Sequence, residues 1–415
     1  MTTTPVDRPG GDAPEVTGPH LYRNSERMLE LSDPVWQAAA DRGLIDIHVD
    51  AESNNELVIR ETGHRFANLC SCSYLGLNFH PKILQGAVDA LAEAKSTSLS
   101  VSETRIRPNL LAALEDELRD LWRADILLGL SCTALTSGIL PLLAAGQVAE
   151  GGPRTMVFDR FAHFNLSYVK PICADESLVL TSPHNDLDYV EDVCRRYPRV
   201  AYIADGAFSM GGGLLLEGLL ELQDKYGLFL FLDDSHSLSA IGERGEGYVR
   251  SRAELNPLTM VVASLSKGFG TGGAVAMLGD HGLRRFLRRH AGPVGWSQNP
   301  DNMVLGASLA SAALHRTPEL GELQRRLRDN VEHFDRLVPT PHAGNDFAVR
   351  MIPVGEADRA VDLSARMFES GYYCSAVFFP IVARGEAGLR IMLRADLPRA
   401  LITDFASTVT AEASA

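Results

Sequence analysis

From about residue 66 to 295, short apolar runs alternate with amphipathic stretches. The clearest runs are TMVFD (155–159), VAYIAD (200–205), LFLFLDD (228–234) and TMVVASLS (259–266). This alternation predicts an α/β unit built on a mostly parallel sheet with helices on both faces. Between the runs, NLLAALEDELRDLW (109–122) carries apolar positions at helical spacing, and LLELQDKYG (219–227) ends on a glycine suited to a helix C-cap. Each run ends in polar residues followed by Gly, Ser or His. Ligands collect at the carboxyl ends of parallel strands, so several strands are expected to deliver side chains into one crevice.

The flanks read differently. LSDPVWQAAADRG predicts a helix, and DIHVD and LVIR predict extended segments after it. Residues 299 to 338 read as helical, and the alternating charge of ELGELQRRLRDNVEHFDRLV suggests a solvated face. FAVRMIPV, AVDLSARMFESGYYCSAVFF and GLRIMLRAD then read β, α, β, β, a smaller α+β domain joined through the long helix. The predicted organisation is a disordered tail over 1–20, an N-terminal arm over 21–65, a large domain over 66–298, and a C-terminal small domain with its linking helix over 299–415.

Composition narrows the function classes. The 415 residues are 45% hydrophobic and 22% charged, ordinary for a globular chain with a large core. A formal charge of −14 speaks against a general binder of nucleic acid or anionic membrane. The start, MTTTPVDRPGGDAPEVTGPH, lacks the apolar core of a signal peptide, and no stretch approaches the roughly 20 apolar residues that span a bilayer. The six cysteines form no C-x-x-C pair. They are expected to be reduced thiols of a cytoplasmic protein, with neither a disulfide frame nor a metal site.

Of the 39 basic residues only five are lysines: Lys82, Lys95, Lys170, Lys225 and Lys267. Lys267 alone follows an apolar run and opens a glycine-rich turn, SLSKGFGTGG. A lysine held there, where backbone can approach a ligand closely, can lose its proton and act as a Schiff-base nucleophile. Asp233 ends the preceding strong run, FLFLDD. Such a carboxylate either caps the next turn or, beside a Schiff-base lysine, serves as the anionic partner of a pyridine nitrogen.

DDSHSLSAIGERGEG (233–247) followed by SLSKGFGTGG (264–273) resembles the α-oxoamine synthases, fold-type I pyridoxal phosphate enzymes of the class I/II aminotransferase superfamily. SYLGLNFHP (73–81), VFDRFAHF (157–164) and DGAFSMGGG (205–213) match in the same order. The resemblance implies pyridoxal 5′-phosphate as cofactor, with Lys267 as its Schiff-base residue and proton shuttle. Asp233 would pair with the ring nitrogen, and His163 would stack on the ring. Ser209 and His236 would lie near the phenolic oxygen. Ser264, with the helix start at Ser131, Cys132 and Thr133, would hold the phosphate. Trp296, Ser297 and Gln298 match a segment through which a partner subunit reaches that phosphate, implying a homodimer with shared sites. Arg390 matches the arginine that clamps the substrate carboxylate, with Arg394 as its rival.

Some residues near the expected substrate depart from the family pattern. Cys72 stands at or next to the usual asparagine before YLGL, Cys132 and Thr133 replace a glycine and an aromatic residue, and STSLSVSETRIRP (96–108) is bulkier than the usual glycine-rich segment. The expected reaction joins an amino-acid-derived carbanion to acyl-CoA or another acyl thioester, in a specialised biosynthesis. The alternatives are aminotransfer, β- or γ-elimination followed by addition to another electrophile, and a non-catalytic binding subunit.

Overall fold

The computed structural model describes residues 25–53, 55–279 and 282–414. The tail expected over 1–20 lies outside them.

Strands β1 (Asp50–Ala51), β2 (Glu56–Val58) and β3 (Arg65–Asn68) follow helix α1 (Ser25–Asp41). The central sheet contains β4 (Asp125–Gly129), β5 (Thr155–Asp159), β6 (Val179–Ser182), β7 (Val200–Asp205), β8 (Phe229–Asp233), β9 (Thr259–Ser264) and β10 (Ala274–Leu278), in the order β4-β10-β9-β8-β7-β5-β6. All four runs singled out in the sequence are strands of this sheet. Pairing is parallel from β6 through β9, whereas β10 runs antiparallel to both β9 and β4. Lys267 therefore lies in a hairpin loop between β9 and β10. That reversal was not read from the sequence, because five apolar residues after a glycine turn carry no sign of direction.

Every residue of β8 is buried, and its side chains alternate between two cores. Leu230 and Leu232 face one, Phe229 and Phe231 the other, and Val261 and Met260 divide likewise on β9. Both faces of the sheet are thus covered, which explains apolar runs without polar alternation. Helices α2 (Pro81–Ala94), α3 (Asn109–Trp122) and α4 (Cys132–Ala144) precede or follow β4. α5 (Leu187–Arg196) and α6 (Leu216–Tyr226) join α3 on the first face, through Val190 and Leu219. α4 covers the second face together with α7 (Leu283–His290).

Two long helices, α8 (Asn302–His315) and α9 (Pro318–Leu337), lead to a smaller sheet of β11 (Val349–Gly355), β13 (Ser375–Val377) and β14 (Ala387–Met392), with β14 central and antiparallel to both neighbours. α10 (Ala357–Glu369) and α11 (Arg399–Ser414) cover this lobe, and β12 (Tyr372–Tyr373) pairs in parallel with β3. The arm thus joins the C-terminal lobe, and Leu69, Tyr74, Leu75 and Leu77 share one core with Leu327, Phe334, Leu389 and Phe405. Among the described residues, no helix is long and apolar enough to cross a membrane.

α2 crosses α8 at a point where glycine is required. A Cβ on Gly86 would stand 2.7 Å from Ala310 Cβ and 2.8 Å from the carbonyl oxygen of Gly306. Gly86→Val is therefore expected to force the helices apart and cost about 2–3 kcal/mol, read as a lower melting temperature in a thermal denaturation series against Gly86→Ala.

Candidate active site

The loop from Leu265 to Gly273 is tied by Leu265 N–H donating to Gly273 O at 3.0 Å and Gly270 N–H to Lys267 O at 3.0 Å. Gly270 has φ of +79°, and a Cβ there would lie 2.5 Å from Leu77 Cβ and 2.7 Å from Asn78 N. Glycine thus lets the lysine loop press against the SYLGLN segment, which brings Tyr74 toward Lys267. His236 lies between them: its Nε2 is 2.8 Å from Lys267 Nζ and its Nδ1 is 2.5 Å from Tyr74 OH.

Tyr74 and His236 are both buried. Burial, reinforced by the charges of Lys267, Arg390 and His163, holds His236 well below its ordinary value, so its ring is neutral. Burial also pushes the Tyr74 phenol well up, so that it keeps its proton. A neutral imidazole has a single N–H, which leaves two settings for the triad. Tyr74 O–H donates to Nδ1 while Nε2–H faces a neutral Lys267 amine, or Lys267 donates to Nε2 while Nδ1–H donates to the Tyr74 oxygen.

Asp233, at the carboxyl end of β8, is buried. Its Oδ1 accepts from Ser235 N–H at 3.0 Å and its Oδ2 from Asn165 Nδ2 at 2.9 Å. Asn165 Oδ1 lies 2.8 Å and its backbone N 3.2 Å from His163 Nδ1, tying His163 to Asp233. The His163 ring is exposed and so has a free face. Asp205, opposite Asp233 on β7, accepts from His163 N–H at 3.0 Å through Oδ1. Ser209 sits on the following loop, closed by Gly211 N–H donating to Phe208 O at 2.9 Å.

Ser131 caps α4, its side chain accepting from Ala134 N–H at 3.1 Å, and Cys132 and Thr133 begin the helix. Cys132 Sγ is 3.4 Å from Ser235 Oγ, which accepts from Ser264 N–H at 2.8 Å. The start of α4, the turn after β8 and the end of β9 therefore meet. Burial and the charge of Asp233 keep Cys132 a thiol. Ser297 stands apart from this group, its Oγ donating within its own turn to Pro293 O at 2.5 Å.

Among the described residues, Arg390 Nη2 approaches only soft acceptors, Cys72 Sγ at 3.7 Å and Met392 Sδ at 3.9 Å, and its buried Nε has no partner. Arg394 is fully buried and donates to Asn68 O at 2.5 Å, Asp396 Oδ1 at 3.0 Å and Asn55 Oδ1, fastening the arm to the small lobe. Of the two rivals, Arg390 is the one left with donors to spare. Tyr74, Asn165, Asp205 and Ser235 were missed as site residues by the sequence reading. All four lie within or beside the quoted motifs, but only the fold shows their partners.

Comparison with known proteins bears on what this arrangement serves. The family model for aminotransferase class I and II matches residues 177–409. The chain belongs to that family. It is 30% identical over 383 residues to 8-amino-7-oxononanoate synthase of Geobacter sulfurreducens, covering 88% of this chain and 94% of that protein. To the same enzyme of Alkaliphilus metalliredigens it is 27% identical over 359 residues, 83% and 87% of the two chains. These relatives put it in the α-oxoamine synthase group of the family. The fold is similar to serine palmitoyltransferase of S. paucimobilis (TM-score 0.81, 19% identity, 93% of this chain and 98% of that one). It is also similar to the synthase of Francisella tularensis (TM-score 0.69, 18% identity, 84% and 98%).

The cofactor of this group is pyridoxal 5′-phosphate, and the residues fit it. A lysine in a glycine-rich loop, a buried carboxylate at a strand end and an imidazole with a free face surround one position, and the N-terminus of α4 supplies N–H donors suited to a phosphate. The buried Asp205 Oδ2, which has no hydrogen-bond partner among the described residues, also belongs to this ring of groups. Among the described residues, no cluster of three or more His, Cys, Asp or Glu could hold a metal ion.

Proposed function

We propose that the protein condenses an amino acid with an acyl thioester, CoA-linked or otherwise, in a pyridoxal phosphate-dependent carbon–carbon bond-forming reaction. The observation that carries this reading is the Lys267–His236–Tyr74 chain beside Asp233 and Arg390, in a member of the α-oxoamine synthase group.

When bound, pyridoxal phosphate supplies an electron-withdrawing ring able to take up negative charge from the amino acid's Cα. Lys267 would hold the cofactor covalently and, once displaced by the amino acid, use its freed Nζ as the base for the Cα proton. His236 would orient that nitrogen, and Tyr74 holds the His236 ring in place from its other side. Asp233 would accept the ring N–H, and its two protein donors hold it in place for that bond. His163 would cover one face of the ring. Backbone N–H groups at Cys132 and Thr133, with Ser131 and Ser264, would bind the phosphate, and Ser209 would approach the phenolic oxygen beside His236. Arg390 would clamp the substrate carboxylate bidentately, with Cys72 against it. That clamp also selects which Cα bond lies perpendicular to the ring.

We read the active unit as a homodimer in which Ser297 serves the partner's site. Leu84 and Val88 on α2, Leu99, Ile106 and Trp296 are exposed at 46–63%, a group of apolar side chains that a second copy would cover. The Val88→Asp/Ile106→Asp double variant is expected to elute as a monomer in size-exclusion chromatography with light scattering and to lose cofactor retention together with dimerisation. The six free cysteines fit a reducing, cytoplasmic compartment.

The deciding experiment supplies acyl-CoA to protein preincubated with each amino acid that alters its visible spectrum, and follows free thiol. Thiol release that depends on both substrates is the expected result. A spectral response to amino acids without thiol release from any thioester overturns the condensation reading.

A further inference from the structure

Asp205 is a buried titratable group that the reaction outlined above leaves unused. It ends β7 directly opposite Asp233 on β8, and is 2% exposed. Its Oδ1 holds the loop of His163 by accepting that residue's N–H, an acceptor role that an asparagine would fill equally well. Its Oδ2 is buried with no hydrogen-bond partner among the described residues. Asp233, by contrast, has both oxygens engaged, by Ser235 and Asn165. Two neighbouring buried carboxyl groups are not both left ionised unless positive charge balances them.

The groups facing Asp205 come from every element around it. They are Asp233 from β8, Asp159 from β5 and Lys267 from the loop after β9, with the backbone of His163 from the loop after β5. Cys132 at the start of α4 shares the same field as a neutral thiol. Lys267 is the one basic side chain among them. We propose that Asp205 carries a proton in the cofactor-free protein and releases it when a cationic nitrogen-heterocycle ring enters beside Asp233. The O–H bond of Asp205 breaks, its proton passes to bulk buffer, and the N–H of the ring stays on the ring. Burial and the adjacent Asp233 hold the Asp205 carboxyl well above the ordinary carboxylate range, consistent with a proton retained at neutral pH until that charge arrives. Asp205 is then a charge-balancing residue that acts through Asp233. This inference rests on the cofactor reading above.

The test uses pyridoxamine 5′-phosphate, which carries the same ring but forms no bond to Lys267. Calorimetric titration of the cofactor-free protein in two buffers of different ionisation enthalpy counts the protons exchanged on binding. At pH 7 the wild type is expected to release about one proton more than Asp205→Asn, which keeps the acceptor for His163 N–H. A purely structural Asp205 gives equal counts, and equal counts overturn the proposal while leaving the cofactor reading intact. If the wild type fails to bind pyridoxamine phosphate at all, both fall. Infrared difference spectra of the wild type alone decide the matter should the variant not fold. The C=O stretch of a protonated carboxyl should be present without ligand and disappear on loading, and its persistence in the loaded protein overturns the proposal.

Discussion

Lys267→Ala is expected to abolish turnover, with a fall on the order of 10⁴-fold or more in kcat, because two functions leave with one nitrogen. The variant lacks both the covalent attachment of the cofactor and the base for the Cα proton. Neither neighbour replaces them. His236 is held neutral by burial but is fixed between Tyr74 and the lost amine, and Tyr74 keeps its proton. The chromophore of the cofactor-loaded protein should lose the absorption that depends on the lysine bond, while the melting temperature changes little, since the loop is fastened by backbone bonds from Leu265 and Gly270 rather than by the side chain. A variant that retained more than a few per cent of wild-type turnover would remove Lys267 from the chemistry. Loss of activity accompanied by unfolding would instead mark it as structural.

The features legible in the sequence were those written in local pattern. The strands at 155–159 and 200–205 and the helix at 109–122 agree with the structure to the residue. The reason is physical: a strand buried on both faces must be apolar throughout, and Arg123, left-handed at φ of +50°, stops the helix where the periodicity ends. The antiparallel β10 escaped notice because direction is set by what the chain meets in space. The choice between Arg390 and Arg394 was likewise open. The two lie four residues apart, and only the distant Asn55 and Asn68 reveal that Arg394 is already engaged. Asn165 and Tyr74 were overlooked for a related reason. Each earns its place through a contact with a residue more than sixty positions away, Asp233 for Asn165 and His236 for Tyr74, and such contacts leave no periodic trace.

The Asp233→Asn substitution separates charge from shape at the other end of the site. Asparagine has the same outline, and its carbonyl oxygen can still accept from Ser235 N–H where Asp233 Oδ1 does so at 3.0 Å. Asn165 can turn its amide to meet the new NH₂ group in place of Oδ2, its own NH₂ then donating to His163 Nδ1. The fold should therefore survive, with a melting temperature near that of the wild type. What is lost is the negative charge that would keep a proton on the ring nitrogen. In a buried position that charge is not screened by water, so its removal acts on the transition state for Cα deprotonation more than on binding. We expect kcat to fall on the order of 10³-fold with the KM for the amino acid changed far less. The measurement is a steady-state comparison of wild type, Asp233→Asn and Asp233→Glu with saturating cofactor, supported by the primary isotope effect of Cα-deuterated amino acid. A larger isotope effect in Asp233→Asn would locate the lost stabilisation at the proton-transfer step. An unchanged kcat, or a defect confined to cofactor retention, would show that Asp233 serves the turn after β8 and not the ring.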